Sequence, residues 1–434
     1  MKSAHYPYGS EIAITDQALQ VKVYRRFQSY SGMFLAGRNA KSYVSHYNFV
    51  EEVTEAIGPA KNVKVHDVTL RDGEQQAGIA FNKEEKVELA RLLDAAGVDR
   101  IEAGFPAVSE SDFEAIKQIA SLGLQAEIFA FARCAKRDVD LALQCGVDGV
   151  VMEIPLSDHL LKHAYGWTEQ KSINLATEAT SYAHDHGLYV AFFTIDSTRA
   201  DFGTCWRLID SVAKHGHMDS LVLVDTFGVC SPHAIAHFVG KVRKLVDEPL
   251  EIHVHNDFGL AVANTITAVL NGADVVQVSV NGIGERTGNA SLEQTVMALG
   301  LLYHMKTNVK FDKLVKLSRA VQEFSRVKLP PQAPVVGDGI FTIESGIIAG
   351  WWSRVEESGI PLEVFPFVPE LVGHDPVRIV LGKKSGRESI TYKARKLGIT
   401  LREAQVDFIL QKVKSASMLR KRALSDEEFT EMVE

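Results

Sequence analysis

The run NVKVHDVTLRDGEQQAGIAFNKEEKVELARLLDAAGVDRIEAGFP, residues 62–106, decides the fold. It opens on Val63–Thr69, a short run rich in β-branched residues. A polar turn follows, and then Asn82–Ala96, where Val87, Leu89, Ala90, Leu92 and Leu93 mark one apolar helix face. Gly97 ends that helix as a cap, because glycine takes the left-handed conformation without a steric penalty. Arg100–Phe105 is β-rich again, so the unit is strand–helix–strand. The same cadence continues, with strands expected at Glu127–Ala132, Gly149–Ile154, Leu188–Thr194, Ser220–Asp225, Leu250–His255 and Asp274–Val280. Strand starts recur roughly every 20 to 40 residues, the spacing that βα units require. Eight strands and eight helices over about 245 residues are the size of a (β/α)8 TIM barrel. An open doubly wound sheet is the other arrangement of such units. The first strand-to-helix turn has no G-x-G-x-x-G run, which counts against it.

Around the barrel, placed at 63–307, lie two further segments. Residues 1–62 form an N-terminal extension with Tyr24, Phe27, Tyr30 and Tyr47, and a short helix at Val50–Ile57 broken by Gly58 and Pro59. It reads as an arm or cover over the main domain, or else as a loosely ordered leader. After His304 the pattern loosens. Leu329–Pro334, with three prolines, reads as a stiff extended connector. Residues 308–434 are a linker and a mostly helical lid or dimerisation subdomain, with helical patterns from Leu401 to Val433. Trp351 and Trp352 read as packing residues of that part rather than substrate contacts.

The 434 residues carry 47 Lys+Arg against 55 Asp+Glu, a net charge of −8, which argues against nucleic-acid partners. At 46% hydrophobic and 24% charged, the composition is that of a globular protein with a sizeable core. Cys134, Cys145, Cys205 and Cys230 have no CxxC spacing and read as free thiols. No apolar run reaches the roughly 18 residues of a membrane span. The start lacks a signal-peptide pattern. The expectation is a cytoplasmic protein with no membrane partner.

The active site of such a barrel lies at the C-terminal ends of its strands. Strand one ends in Thr69-Leu70-Arg71-Asp72-Gly73-Glu74-Gln75, strand seven in His253-Val254-His255-Asn256-Asp257, and strand eight runs into Asn281–Asn289. His253 and His255 are two apart and so share a face of their strand. With a carboxylate and an amide oxygen they make a mixed N/O site for a divalent metal with open positions. A hydrogen-bonded polar plug in the barrel mouth is the other reading, and spacing leaves both open. Arg71 beside Asp72 suits charge developing on a substrate carbonyl oxygen. As a mere surface ion pair it would contribute little.

The runs HDVTLRDGEQ (66–75), IEAGFP (101–106), HVHNDFGLAVAN (253–264) and NGIGERTGNASLE (281–293) resemble the family of 2-isopropylmalate, homocitrate and citramalate synthases. More broadly they are similar to the metal-dependent barrels that include hydroxymethylglutaryl-CoA lyase. The resemblance covers about 63–305 and continues weakly through LGKKSGR (381–387). It implies metal ligands at Asp72, His253, His255 and Asn289, a catalytic arginine at Arg71, and oxo-acid contacts at Gln75, Glu102, Arg133 and Thr226. Asp72 is informative, since homocitrate synthases usually have Glu there and the other two groups Asp. The implied reaction is a Claisen condensation of acetyl-CoA with a 2-oxo acid, giving a 2-substituted malate and CoA. The implied cofactor is Mn²⁺, Zn²⁺ or Mg²⁺, and the implied assembly a homodimer. The C-terminal regulatory domain of leucine-responsive members is not expected here, nor is feedback control of that kind.

Two departures stand out. Strand five of the synthases usually ends in a Ser-Ala-Glu-Asp or Ser-Ser-Glu-Asp run, whereas Phe193-Thr194-Ile195-Asp196 stands here. In the second segment Ile343 and Ile348 occupy histidine positions, and Val364 an expected tyrosine. Neither Ile195 nor Ile348 can move a proton. The condensation is therefore expected to use another base, with His374, Tyr392 or a water on Asp196 as candidates. Phe193 and Ile195 would then favour a bulkier or apolar oxo acid. A carbon–carbon lyase acting on a 3-hydroxy acid or its CoA ester is the alternative, although plain lyases lack a segment as long as 308–434. A metal-bearing binding protein is a third reading, against which the complete ligand set counts. His159 and His163 after strand four are read as tail contacts or surface residues, and Gly382–Arg387 as a CoA phosphate contact or a structural turn.

Overall fold

Eight parallel strands close into a barrel: β1 Lys64–Asp67, β2 Arg100–Glu102, β3 Glu127–Arg133, β4 Gly149–Pro155, β5 Tyr189–Ile195, β6 Ser220–Asp225, β7 Leu250–Val254 and β8 Val275–Val278. Each strand pairs with its sequence neighbours, and β8 returns to β1 from Val275 opposite Lys64 to Val278 opposite Asp67. This is a computed structural model, and it describes residues 37–433. Tyr24, Phe27, Tyr30 and most of the expected N-terminal arm lie outside the described residues.

All eight expected strands are present. Four of them, β1, β2, β7 and β8, stop earlier than expected. At the end of β1 the Thr69 N–H turns to its own chain's Asp67 Oδ1 at 2.9 Å, an alternative to the sheet ladder that releases the backbone.

Helices lie between the strands, as the alternating pattern predicts. They are α1 Glu51–Ile57, α2 Lys83–Ala96, α3 Glu110–Ala120, α4 Lys136–Cys145, α5 Glu169–Asp185, α6 Phe202–His215, α7 Pro232–Arg243, α8 Ala261–Leu270 and α9 Leu292–Leu302. Asn82 caps α2 in a reciprocal box: Glu85 N–H donates to Asn82 Oδ1 at 2.9 Å, and Asn82 N–H to Glu85 Oε2 at 2.9 Å. Gly97 ends it at φ 87°. Helices α2 to α9 surround the barrel, and their inner faces join the outward strand residues in one apolar core.

Inside the barrel the filling is layered. At the floor, Glu251 Oε1 accepts from Arg100 Nη1 at 2.7 Å and from Ser220 Oγ at 2.7 Å, and its Oε2 accepts from Gln277 Nε2 at 2.9 Å. Above it an apolar layer holds Phe129, Phe131, Val151, Ala191, Phe193, Val222 and Val224. The polar mouth lies beyond.

After the barrel come α10 Leu314–Ser325, a two-stranded parallel sheet of β9 Thr342–Ile343 and β10 Arg378–Ile379, then α11 Gly346–Ser358, α12 Arg387–Lys396, α13 Glu403–Arg420 and α14 Asp426–Val433. The stretch expected to be extended, 329–334, folds back in turns instead. Ala333 N–H donates to Pro330 O at 2.9 Å, and Gly339 N–H to Pro331 O at 2.7 Å. Proline cannot donate, but its carbonyl accepts, so the proline pair anchors turns here. Trp352 is buried, stands edge-on to Phe365 at 5.6 Å and donates from Nε1 to Tyr392 Oη at 3.3 Å, while Trp351 remains half exposed. The described part of the leading segment hydrogen-bonds this region: Tyr43 N–H to Pro366 O at 2.8 Å and Val368 N–H to Lys41 O at 2.9 Å.

Candidate active site

The mouth is built from the ends of β1, β2, β7 and the loop after β8. Asp72 follows β1, His253 lies in β7 and His255 just beyond it. A bridge between His255 and Asn289 carries the β8 loop across the opening. All four side chains are buried. Gly284, at φ 155°, makes this approach possible: a Cβ there would lie 2.6 Å from Asp72 Oδ1 and collide with the Asn289 amide.

The donors converge. His253 Nε2 and His255 Nε2 are 3.3 Å apart, and each is 3.8 Å from Asp72 Oδ2. A point equidistant from three such atoms lies about 2.1 Å from each, the reach of a divalent-ion bond to nitrogen or oxygen. The tautomer of His253 is set from beneath. Gln277 gives its amide hydrogen to Glu251, so its Oε1 faces His253 Nδ1 at 3.1 Å and accepts that N–H. Nε2 is then left as a lone pair aimed into the site. Burial lowers His253 to about 3 and lowers His255 as well, so both imidazoles are neutral near pH 7. Burial works to raise Asp72, but the Arg71 guanidinium overrides it and holds the carboxyl well below the usual carboxylate range.

The two Asp72 oxygens have separate tasks. Oδ1 accepts from Asn289 Nδ2 at 2.7 Å and from Glu285 N–H at 3.2 Å, while Oδ2 faces the imidazoles. Asn289 Oδ1 is buried and has no partner among the described residues, and neither has His255 Nδ1. An anionic oxygen, two imidazole nitrogens and a free amide oxygen form a donor set that fits a divalent cation. A second group, His184, His217 and Asp219, also meets metal-ligand spacing. It lies at the other end of the barrel, where β6 begins, and is partly exposed.

Arg71 is gripped on three sides. Its Nε donates to Glu102 Oε1 at 2.8 Å, and its Nη1 to Asp72 Oδ2 and Gln75 Oε1, each at 3.1 Å. Its plane lies 4.1 Å from the Phe131 ring centroid. The remaining Nη2 is buried without a partner among the described residues, as is Glu102 Oε2. A fixed, desolvated guanidinium with one free nitrogen suits an oxyanion.

A family model described as HMGL-like matches residues 62–321, and one described as homocitrate synthase post-HMGL domain-like matches residues 335–421. The homocitrate synthase AksA of Methanopyrus kandleri is 41% identical over 89% of this chain and 95% of its own. A probable 2-isopropylmalate synthase of the same organism is 44% identical over 81% of this chain and 69% of its own. The (R)-citramalate synthase CimA of Methanocaldococcus jannaschii is 40% identical over 83% and 72%. The chain belongs to this synthase family. The HMG-CoA lyase of Bacillus subtilis shares the fold, with a TM-score of 0.58 at 22% identity over 63% of this chain and 97% of that one.

Within this synthase-family barrel, the residues singled out from sequence fall into two groups. Arg71, Asp72, Gln75, Glu102, His253, His255 and Asn289 meet at one point. Thr226 ends up at the rim of β6, where its Oγ1 accepts the Asp196 N–H at 2.8 Å. Arg133 stands at the end of β3 with its guanidinium on Asp138, at 2.7 and 3.0 Å, and its side chain 56% exposed. His163 is exposed on a short π-helix, Leu160–Tyr165, and His159 is exposed just before it.

The candidate bases are committed elsewhere. Both His374 nitrogens face carbonyl oxygens, Asp375 O and Gly337 O, each at 3.1 Å. Tyr392 Oη lies between Trp352 and Glu356. Asp196 accepts from Ser157 Oγ at 2.5 Å and from Arg199 at 2.7 and 2.9 Å. Ile343, Ile348 and Val364 pack together in one apolar cluster with Trp352 and Tyr392.

Three residues escaped the sequence reading: Gln277, Glu251 and Glu153. A charged or amide side chain at an inward position of an otherwise apolar strand was the available signal for each.

Proposed function

We propose that this protein condenses acetyl-CoA with a 2-oxo acid of apolar side chain, giving a 2-substituted malate and free CoA. The observation that carries this reading is the convergence of Asp72, His253, His255 and the free Asn289 oxygen beside the unpartnered Arg71 Nη2. Membership of the synthase family supports it. A divalent cation held by Asp72, His253, His255 and Asn289 would supply Lewis acidity at the substrate's carbonyl oxygen. Arg71 Nη2 donates to the charge that grows on the same oxygen during carbon–carbon bond formation. Glu102 and the Phe131 face hold that guanidinium in place, so it does not reorganise as charge develops. Gln75 and the Thr226 hydroxyl are assigned to the substrate carboxylate. The wall opposite, Phe131, Phe193 and Ile195, excludes water and accepts an apolar tail. It favours 2-oxoisovalerate-like over carboxylated oxo acids, because a second carboxylate would be buried there unpaired.

The test is thiol release. The protein is given acetyl-CoA, a panel of 2-oxo acids and Mn²⁺, Mg²⁺ or Zn²⁺. Release is expected only with metal and one of the apolar 2-oxo acids. No release across the panel would overturn the reading and move attention to cleavage of 3-hydroxy acids or their CoA esters. The same reading includes a homodimer, for which light scattering is the measurement.

A further inference from the structure

β4, Gly149–Pro155, is apolar and buried except at Glu153. Glu153 lies on the inward face: Val151, two residues earlier, belongs to the interior layer, and Phe193, its register partner on β5, does too. The carboxyl therefore enters the mouth, on the wall opposite the imidazoles. Phe193 stands between, edge-on to His253 with ring centroids 5.2 Å apart. Around Glu153 are Arg71 from the end of β1, Glu102 from β2, Arg133 from β3 and Asp138 from α4, with Cys134 and Tyr165 also within its electrostatic reach. Arg133 is its register partner on β3. Yet the Glu153 carboxyl accepts no hydrogen bond from any described residue, while Asp196, Asp138 and Glu251 are each held by two or more donors. Glu153 is the one partly exposed residue of its strand, so its carboxyl can be reached from the mouth, and no hydrogen bond from a described residue ties it down.

We propose that Glu153 is the general base of the condensation, the group that takes the methyl proton of acetyl-CoA. The inference rests on the condensation reading and deepens it. Glu153 removes the proton, and the C–H electron pair becomes the enolate of acetyl-CoA. The enolate carbon bonds to the carbonyl carbon of the 2-oxo acid, and the carbonyl π pair moves to oxygen. That oxygen takes a proton, and the one held by Glu153 restores the balance. Water then adds to the thioester, the C–S bond breaks, and CoA leaves as the thiol. Three candidate bases are already committed to other partners, and the isoleucines at 195 and 348 cannot serve. Burial, against the pull of Arg71 and Arg133, raises Glu153 to about 7, so a base and its conjugate acid are both populated at neutral pH. A base must be ionised to act, so kcat/KM should rise with pH through about 7 and be lost below it.

The experiment uses deuterated acetyl-CoA with the metal-loaded full chain. Washout of methyl deuterium is read beside CoA release, for the wild type, Glu153→Gln and Glu153→Asp. The expected result is a loss of about 100-fold or more in both readouts for Glu153→Gln, with the acid limb gone. Metal content and melting temperature should be unchanged, and Glu153→Asp should recover part of the rate with the limb restored. If Glu153→Gln retains both rates within about threefold and keeps the acid limb, the proposal fails while the condensation stands. A wild type that neither washes out deuterium nor releases CoA overturns both.

Discussion

Compare the two sides of the barrel mouth. Where β1, β2, β7 and the β8 loop meet at the mouth, donors crowd together, and four buried polar atoms there lack partners among the described residues: Arg71 Nη2, Glu102 Oε2, His255 Nδ1 and Asn289 Oδ1. Along β3 to β5, Phe131, Phe193 and Ile195 close against one another with nothing left open except Glu153. Each unsatisfied buried group costs about 1–3 kcal/mol, so the first side is stable only as a place where something binds. Glu153 apart, the second side is satisfied by its own packing, and on the proposed reading it acts through shape. On that reading, the difference separates the part of the site that holds reactants from the part that chooses among them.

The strongest way to break that division is to strip the polar side. His253→Ala or Asp72→Ala should remove the bound ion and lower activity by at least about a thousandfold. Metal analysis after dialysis is the measurement, and His184→Ala removes interference from the other His/Asp group. Arg71→Ala should behave differently. The ion should stay while kcat/KM falls by roughly 10²–10³, about 2.7–4 kcal/mol, because a transition-state donor is gone. Undiminished turnover in Arg71→Ala would show that the polar side is wrongly read. Since that change also leaves Glu102 buried without its partner, Arg71→Lys is the control, keeping charge but not the fork.

Much of this division could be read in the chain. Parallel strands buried on both faces appear as apolar runs, so all eight were visible, and the i, i+2 spacing alone put His253 and His255 on one face. Asn289 came only from the resemblance, because it sits in a glycine-rich loop whose path no periodicity describes. Arg133 shows another limit: its place at a strand end was legible, but not that Asp138, one helix turn into α4, would occupy its guanidinium. The support under the site was also invisible. Gln277 touches His253 across β7 and β8, a neighbour relation that exists only once the sheet is in register. Ile343, Ile348 and Val364 were legible as departures, but their meeting in one cluster around Trp352 was not.

A smaller effect sharpens the polar side. Gln277→Leu takes the acceptor from His253 Nδ1 and a donor from Glu251, without replacing any proposed ligand. The ring is then free to choose its tautomer. Metal affinity should fall by about 10–100-fold, measured by competition with a chelator, with activity recovered at high metal. Equal affinity in Gln277→Leu would mean that the ring is oriented by packing against Phe193 instead.

The smallest effect tests the apolar side. Ile195→Glu supplies one of the two groups that the family resemblance implies, and yet no gain in CoA release with small oxo acids is expected. Ile195 packs against the interior layer beside Phe193, so a carboxylate there would be desolvated and would carry its proton. It would also lie one strand from Glu153, since Ile195 is opposite Pro155 in the register, and two carboxyls that close suppress each other's ionisation. Its usual counterpart cannot help, because Ile348 belongs to the cluster of Trp352 and Ile343. The acid limb of the pH profile should therefore move upward with kcat little changed. A clear gain at neutral pH would mean that the apolar wall selects nothing, and that a single carboxylate at the end of β5 is all the acid–base chemistry lacked.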